Sequence, residues 1–241
     1  VVCGVVVSSS AVWLKPRQEA NKTLDRQMNV LVAAGLKDEK EKLTPEEVAA
    51  RFESIESQVI DLASGDVAAD IDPATFDQRK AAGDPDTSRP APDNRAGVRR
   101  LPNHALVYSV YDEQGGLAKV VLPIEGKGLW STLYGFLALE PDLNTVSGIT
   151  FYEHAETPGL GGEVDNPSWK ARWPGRLVYG DDGEPKLEVI KGPAGPAAED
   201  PYRVDGLSGA TLTARGVSYL VQFWLGEAGF QTYLDRLKES A

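Results

Sequence analysis

Four β-rich runs follow one another between His104 and His154, and no other stretch restricts the fold as strongly. "ALVYSVYD" and "LAKVVLPI" flank "EQGG", two runs rich in β-branched residues joined by a glycine turn, which is a hairpin signal. "YGFLALE" and "TVSGITFYEH" come next, joined by a Pro-Asp-Leu-Asn turn, and "KLEVIKG" supplies a further strand. A twisted, mainly antiparallel sheet is the expected centre. "DNPSWKARW", with an Asn cap and a proline at the first helical position, predicts a short helix. Val217, Leu220, Val221, Trp224 and Leu225 share one helical face, and Phe230, Tyr233, Leu234 and Leu237 another. Helices with such stripes bury them on a sheet, so the fold class is α+β.

Upstream, Leu24, Met28, Leu31 and Val32 recur at helical spacing, and Gly35 follows as a C-terminal cap. "TPEE" at Thr44 to Glu47 gives an N-cap, a first-turn proline and a glutamate at the third position. Val48, Phe52 and Ile55 then form the buried face of a second helix. Residues 83–103 are rich in Pro, Asp and Arg without apolar period and read as a long surface loop. Arg89, Arg95, Arg99 and Arg100 there are read as solvated, with docking to an acidic partner as the lesser alternative. Residues 15–103 are thus a helical lead-in and long loop, and residues 104–241 a folded domain. Before them, "VVCGVVVSSSAVWL" precedes Lys15, Pro16 and Arg17. It is shorter than the roughly 20 residues a bilayer span requires, but with Trp13 at an interfacial position it reads as the outer end of a transmembrane anchor, residues 1–14, truncated at its start. A cleavable signal peptide and a lipoprotein signal at Cys3 are the alternatives.

A net charge of -11 excludes a sequence-independent grip on nucleic acid, which needs clustered cations to neutralise phosphates. Cys3 is the single cysteine, so neither an intrachain disulfide nor a thiolate cluster for zinc or iron–sulfur is available. His104 and His154, the only histidines, read as strand-surface residues, and no metal site is expected.

Three stretches could carry chemistry. In "DGLSGATLTARG", residues 205–216, a helix starting near Thr213 would aim its free N–H groups and positive dipole end at Ser208 to Thr211, where an anion is stabilised. Gly206, Gly209 and Ala210 remove bulk there. The spacing is neither a Walker loop nor a nucleophile elbow. On these residues alone, a plain Ser/Thr cap after a tight turn is the favoured reading. "EHAETPGLGGE", residues 153–163, ends a strand in a proline and glycines, fit to lie against something flat or to be a mobile turn. "GKGLW", residues 126–130, offers Leu129 and Trp130 as apolar surface for a ring, or simply as core.

Together, "ETPGLGGEV", "GKGLW" and "DGLSGATLT" resemble the FMN-binding domain family shared by the C subunit of the sodium-translocating NADH:quinone oxidoreductase and the G subunit of the Rnf complexes. The resemblance covers roughly residues 104–225, and the tryptophan loop and the long lead-in favour the first of these branches. It implies covalent flavinylation at Asp-x-x-Ser/Thr-Gly-Ala-Thr, where the last Thr is esterified to FMN phosphate by a flavin transferase. Asp205, Ser208, Gly209, Ala210 and Thr211 match, with Thr211 as acceptor and Thr213 two positions late. Lys127 is a mild departure in the glycine loop.

On this basis Ser208 donates to the phosphate, and the ring lies between residues 156–162 and Leu129 with Trp130. Glu156 and Thr157 offer polar contacts to the ring or ribityl chain, Gly159 and Gly161 allow close approach, and Leu160 completes that loop. Lys191 is the candidate cation near the ring, where a positive charge would stabilise the singly reduced, anionic form. With no second cofactor motif, the chain is expected to be an electron relay with no complete reaction of its own. The resemblance further implies the bacterial inner membrane with the domain facing the periplasm, an iron–sulfur donor, a second flavinylated subunit, and sodium transport elsewhere in the complex. The competing readings are an Rnf G-type subunit, a cofactor-free membrane-anchored assembly module, and a serine hydrolase using Ser208, His154 and Asp205.

Overall fold

The structure, a computed structural model, describes residues 20–240, and the expected anchor at residues 1–14 lies outside them. Among the described residues no helix is long and apolar enough to cross a membrane. In chain order the strands are β1 (Ile55–Asp61), β2 (Ser88–Pro90), β3 (Arg100–Pro102), β4 (His104–Tyr111), β5 (Leu117–Lys127), β6 (Thr132–Leu139), β7 (Val146–Glu153), β8 (Glu188–Val189) and β9 (Arg203–Val204). Five of them form the central sheet in the order β1-β4-β5-β6-β7, every pair antiparallel. The hairpin around "EQGG" is β4–β5, with Tyr108 opposite Val121.

Strand periodicity decides what covers this sheet. Ala105 and Val107 of β4 enter one core, while Leu106, Tyr108 and Val110 enter the other. On β5, Val120, Leu122 and Ile124 join the first core and Val121 the second. Successive side chains point to opposite faces, so a sheet apolar on both needs cover on both. One face is covered by α1, helical over residues 20–33, and α2 (Pro45–Phe52), through Val30, Leu31, Ala33, Ala34 and Val48. Helix α1 ends as its glycine forecasts, with Gly35 N–H donating to Val32 O at 3.0 Å and Leu36 N–H to Leu31 O at 2.9 Å. At the start of α2, the Thr44 hydroxyl accepts from Glu47 N–H and the Glu47 carboxylate accepts from Thr44 N–H, a complete capping box.

The opposite face is covered by α5 (Thr211–Trp224) and α6 (Gln231–Ser240), through Val217, Leu220, Val221, Trp224, Tyr233 and Leu234. Trp224 Nε1 donates to Glu125 O at 2.7 Å, which fixes α5 along β5. Gly216, in mid-helix, allows that approach: a Cβ there would lie 2.4 Å from Lys127 O. The expected helix over "DNPSW" is α4 (Pro167–Lys170), with the Asn166 side chain accepting from Ser168 N–H at 2.9 Å.

Four local expectations are corrected. Helix α2 stops at Phe52, and Ile55 opens β1; "IESQVID" has too few apolar residues to show its period, and its pairing with β4 makes it a strand. The sheet therefore draws on residues either side of position 104. Residues 83–103 are not one loop: after α3 (Gln78–Gly83), β2 pairs with β3, and Ala96, Val98 and Leu101 are buried against the α5-side core. The run "KLEVIKG" gives only the two residues of β8, paired in parallel with β9 outside the central sheet, because Val189 N–H donates to Ser218 Oγ on α5. Finally, α5 begins at Thr211, not near Thr213.

Candidate functional site

Lys127 of β5 pairs with Thr132 of β6, and Tyr134 of β6 with Glu153 of β7, so the loops after β5 and after β7 leave the same end of the sheet. The start of α5 meets them there through one side chain. The Glu156 carboxylate, 5% exposed, accepts the Trp130 amide at 2.8 Å, the Ser131 and Leu129 amides at 3.2 Å each, and the Thr213 hydroxyl at 2.6 Å. Burial pushes its pKa up, but these four hydrogen bonds outweigh burial and hold it below the ordinary carboxylate value. Gly161 makes room for this arrangement, since a Cβ there would lie 2.6 Å from Thr213 Oγ1 and 2.7 Å from Glu156 Oε2. Glu156 and Gly161, expected beside a ring, thus tie the three stretches together.

Residues 205–211 are held in shape by their own contacts. Asp205 Oδ1 accepts from Ala194 N–H at 2.9 Å, its Oδ2 lies 3.8 Å from Arg172 Nε, and its carbonyl accepts from Trp169 Nε1 at 2.8 Å. Leu207 and Ala210 are buried, Ser208 is exposed, and Gly209 takes the left-handed conformation at φ 70° that only glycine adopts cheaply. Thr211 then stands exposed as the first residue of α5, and Ala210, the N-cap, provides no side-chain hydrogen bond to the first-turn amides. Those amides are the donors a helix start offers to an anion. Thr213, two residues on, is fully buried with its hydroxyl on Glu156.

Several large apolar side chains stand exposed on the elements that meet here. Among the described residues the exposed large hydrophobics include Leu129, Trp130 at 70%, Leu160 and Leu212, all on the elements joined by Glu156 and α5. Leu160 reaches the loop at residues 205–211, since a Cβ on Gly209 would meet its Cδ2 at 2.8 Å. Thr157 is exposed and accepts with its carbonyl from the Leu160 and Gly162 amides, while Gly159 lies in open space at φ 76°. Lys191 is exposed in the loop whose Gly192 carbonyl accepts from Gly206 N–H at 2.8 Å, next to residues 205–211.

The hydrolase alternative is not assembled. His154 Nδ1 accepts from Glu156 N–H at 3.2 Å, and its Nε2 lies 2.8 Å from Asp165 Oδ2, while Asp205 is engaged with Ala194 and Arg172. Sequence reasoning missed Leu212 and the Glu156–Thr213 bond. Leu212 carried a legible signal, an apolar residue on the polar side of an amphipathic helix; the bond joins residues 57 apart in the chain and carried none.

Residues 128–226 match the model of the FMN-binding domain family. Over its whole length the chain is 46% identical to the C subunit of the Na(+)-translocating NADH-quinone reductase of Yersinia pestis, covering 90% of that protein. It is 47% identical to the corresponding C subunit of Pseudomonas aeruginosa, over 99% of this chain and 92% of that one. Among solved structures, the crystal structure of Shewanella oneidensis NqrC superposes with a TM-score of 0.83 at 38% identity, covering 92% of this chain and 99% of that chain. The C subunit from Parabacteroides distasonis, 24% identical, shares the fold with a TM-score of 0.70 over 92% of this chain and 96% of that chain. The cradle of exposed threonine, uncapped helix start and uncovered apolar side chains fits a phosphate carrying a flat ring, and the chain belongs to the family of Na(+)-translocating NADH-quinone reductase C subunits.

Proposed function

We propose that Thr211 holds FMN through a phosphoester and that the chain, as the flavin-binding C subunit of a Na(+)-translocating NADH-quinone reductase, relays electrons between other subunits of that complex. The observation that carries this reading is an exposed hydroxyl at the first position of α5, inside Asp-x-x-Ser-Gly-Ala-Thr and beside helix amides that no side chain caps. Bound FMN supplies one-electron redox chemistry that no side chain here provides. The chain's own residues position and retain it. The first-turn amides and Ser208 offset the phosphate charge. Leu129, Trp130, Leu160 and Leu212 offer apolar surface to the ring, Thr157 and Gly159 lie on the loop beside it, and Lys191 supplies a nearby positive charge. A covalent tether keeps the flavin's effective concentration high in every redox state, even where ring contacts are weak.

We place the flavin-carrying part of the domain in residues 104–241, with β1 completing its sheet, the β2–β3 arm packed on one core and α1 and α2 covering the second face. The apolar run at residues 1–14 supports anchoring in the bacterial inner membrane with the domain on the periplasmic side. The partners are then an iron–sulfur donor, a second flavinylated subunit, and the flavin transferase that loads Thr211. Intact-mass analysis and in-gel flavin fluorescence, on protein co-produced with a flavin transferase, test the reading. The wild type is expected to carry one FMN and Thr211→Leu none; an unmodified wild type, or a labelled Thr211→Leu, overturns it.

A further inference from the structure

Beside Trp130 an open cleft of about 480 Å3 lies between α3, the β2–β3 arm and the end of β5, and Thr211 is not among the residues that line it. Four cationic side chains line it, Arg79, Arg99, Arg100 and Lys127, against the single carboxylate of Glu125, on a chain whose net charge is -11. The arm is fixed to the sheet there, with Lys127 N–H donating to Ala96 O at 2.7 Å. Two of the cations are locked in place. Arg79 pairs with both Glu153 oxygens at 2.6 and 2.9 Å and lies 3.7 Å over the Tyr134 ring, and Arg100 donates to Ser88 Oγ and Ser88 O at 2.8 Å each. Arg99 and Lys127 form no ion pair among the described residues. Burial raises the Glu125 pKa, with Arg79 opposing.

We infer that this cleft is the docking surface for an acidic segment of the redox partner that exchanges electrons with the chain, an inference that rests on the electron-relay reading. A small anion would need donors converging on one point. Here Arg79 is neutralised by Glu153, and the remaining charge, Arg100 with Arg99 and Lys127, which have no ion pair among the described residues, is spread along an open groove that continues to the exposed Trp130, which suits an extended acidic segment. Transient redox interfaces are small, and rim charges raise the encounter rate more than the affinity. Placing them beside the ring's apolar surroundings steers the partner to the edge where an electron crosses.

The test uses the assembled complex. Rates of reduction and reoxidation of this subunit's flavin are measured by stopped flow for wild type, Arg99→Glu with Lys127→Glu, and Lys40→Glu as a charge control elsewhere. Choline chloride is varied at fixed sodium. The double reversal is expected to keep full flavin content and to slow one of the two rates about tenfold at low ionic strength, with the gap closing near 1 M, where the screening length is about 3 Å. Equal rates for the double reversal and the control at every salt concentration overturn the inference, as does a slowing that salt does not relieve. Saturable binding of inorganic phosphate that the double reversal abolishes overturns it in favour of a small anion. A colourless wild type defeats the relay reading instead, so the two failures are distinguishable.

Discussion

Thr211 and Thr213 are both threonines in the first turn of one helix, and burial separates their tasks. Thr211 is exposed, as the proposed esterification requires; Thr213 is closed in with Glu156. Thr213→Val is therefore expected to keep its covalent flavin but to lose about 1–3 kcal/mol of stability, because it leaves a buried carboxylate short of a donor. In-gel fluorescence with urea denaturation checks both halves. The Glu156 pKa is lowered in the folded chain, so its stabilisation is complete above the ordinary value of 4.5 and is lost as pH falls through the lowered one. Glu156→Gln should thus be less stable than wild type at neutral pH and lose less on acidification, measured as the difference in denaturation midpoints down to about pH 3. Trp130 tests the ring placement: because it is 70% exposed, Trp130→Ala should change folding stability by less than about 0.5 kcal/mol. It should still shift the flavin's absorbance and fluorescence. Unchanged spectra would put the ring elsewhere.

Helix α5 connects the core to the site. Its buried stripe is fixed to β5 by Trp224 and to β8 by Ser218, and the same rigid body carries Thr211 at its exposed start. Gly216 is unfavourable by about 1 kcal/mol relative to alanine in a helix interior. It is tolerated because a side chain would collide with the Lys127 carbonyl of the strand leading into the Trp130 loop. Gly216→Ala, favourable by helix propensity alone, is therefore expected to destabilise by about 1–3 kcal/mol and to reduce flavin loading, since helix and loop must separate. Thermal denaturation beside quantitative flavin fluorescence decides it, and a stabilised, fully loaded variant would show that the close contact is not needed.

For the molecule as a whole, the sheet with helices on both faces closes two cores built from its own side chains, and the proposed flavin contacts, Leu129, Trp130, Leu160 and Leu212, lie outside them. Folding and flavin loading should then be nearly independent. Thr211→Leu is expected to unfold within about 4 °C of the loaded wild type, a shift corresponding to roughly 1 kcal/mol in a chain of this size. Calorimetry of the two proteins measures this. A much larger loss would mean that the flavin completes the core.

The central hairpin, the strands either side of the Pro-Asp-Leu-Asn turn, both C-terminal helices and the capping box were legible in the sequence. Each is dictated by contacts between residues near in the chain: period 2, period 3.6, a turn, a cap. The pattern at residues 205–211 was legible only through its resemblance to a family; on the residues alone it read as a plain cap after a tight turn, a turn that Gly209 does supply at φ 70°. Tertiary structure alone decided that "IESQVID" is a strand, since its partner lies about fifty residues on, and that the arginine-rich stretch folds into a short paired arm. It alone set the start of α5 at Thr211 and brought Glu156 to Thr213, the contact that joins three separate loops into one site. Pairing and burial between distant segments are properties of the packed chain, and no local spacing encodes them.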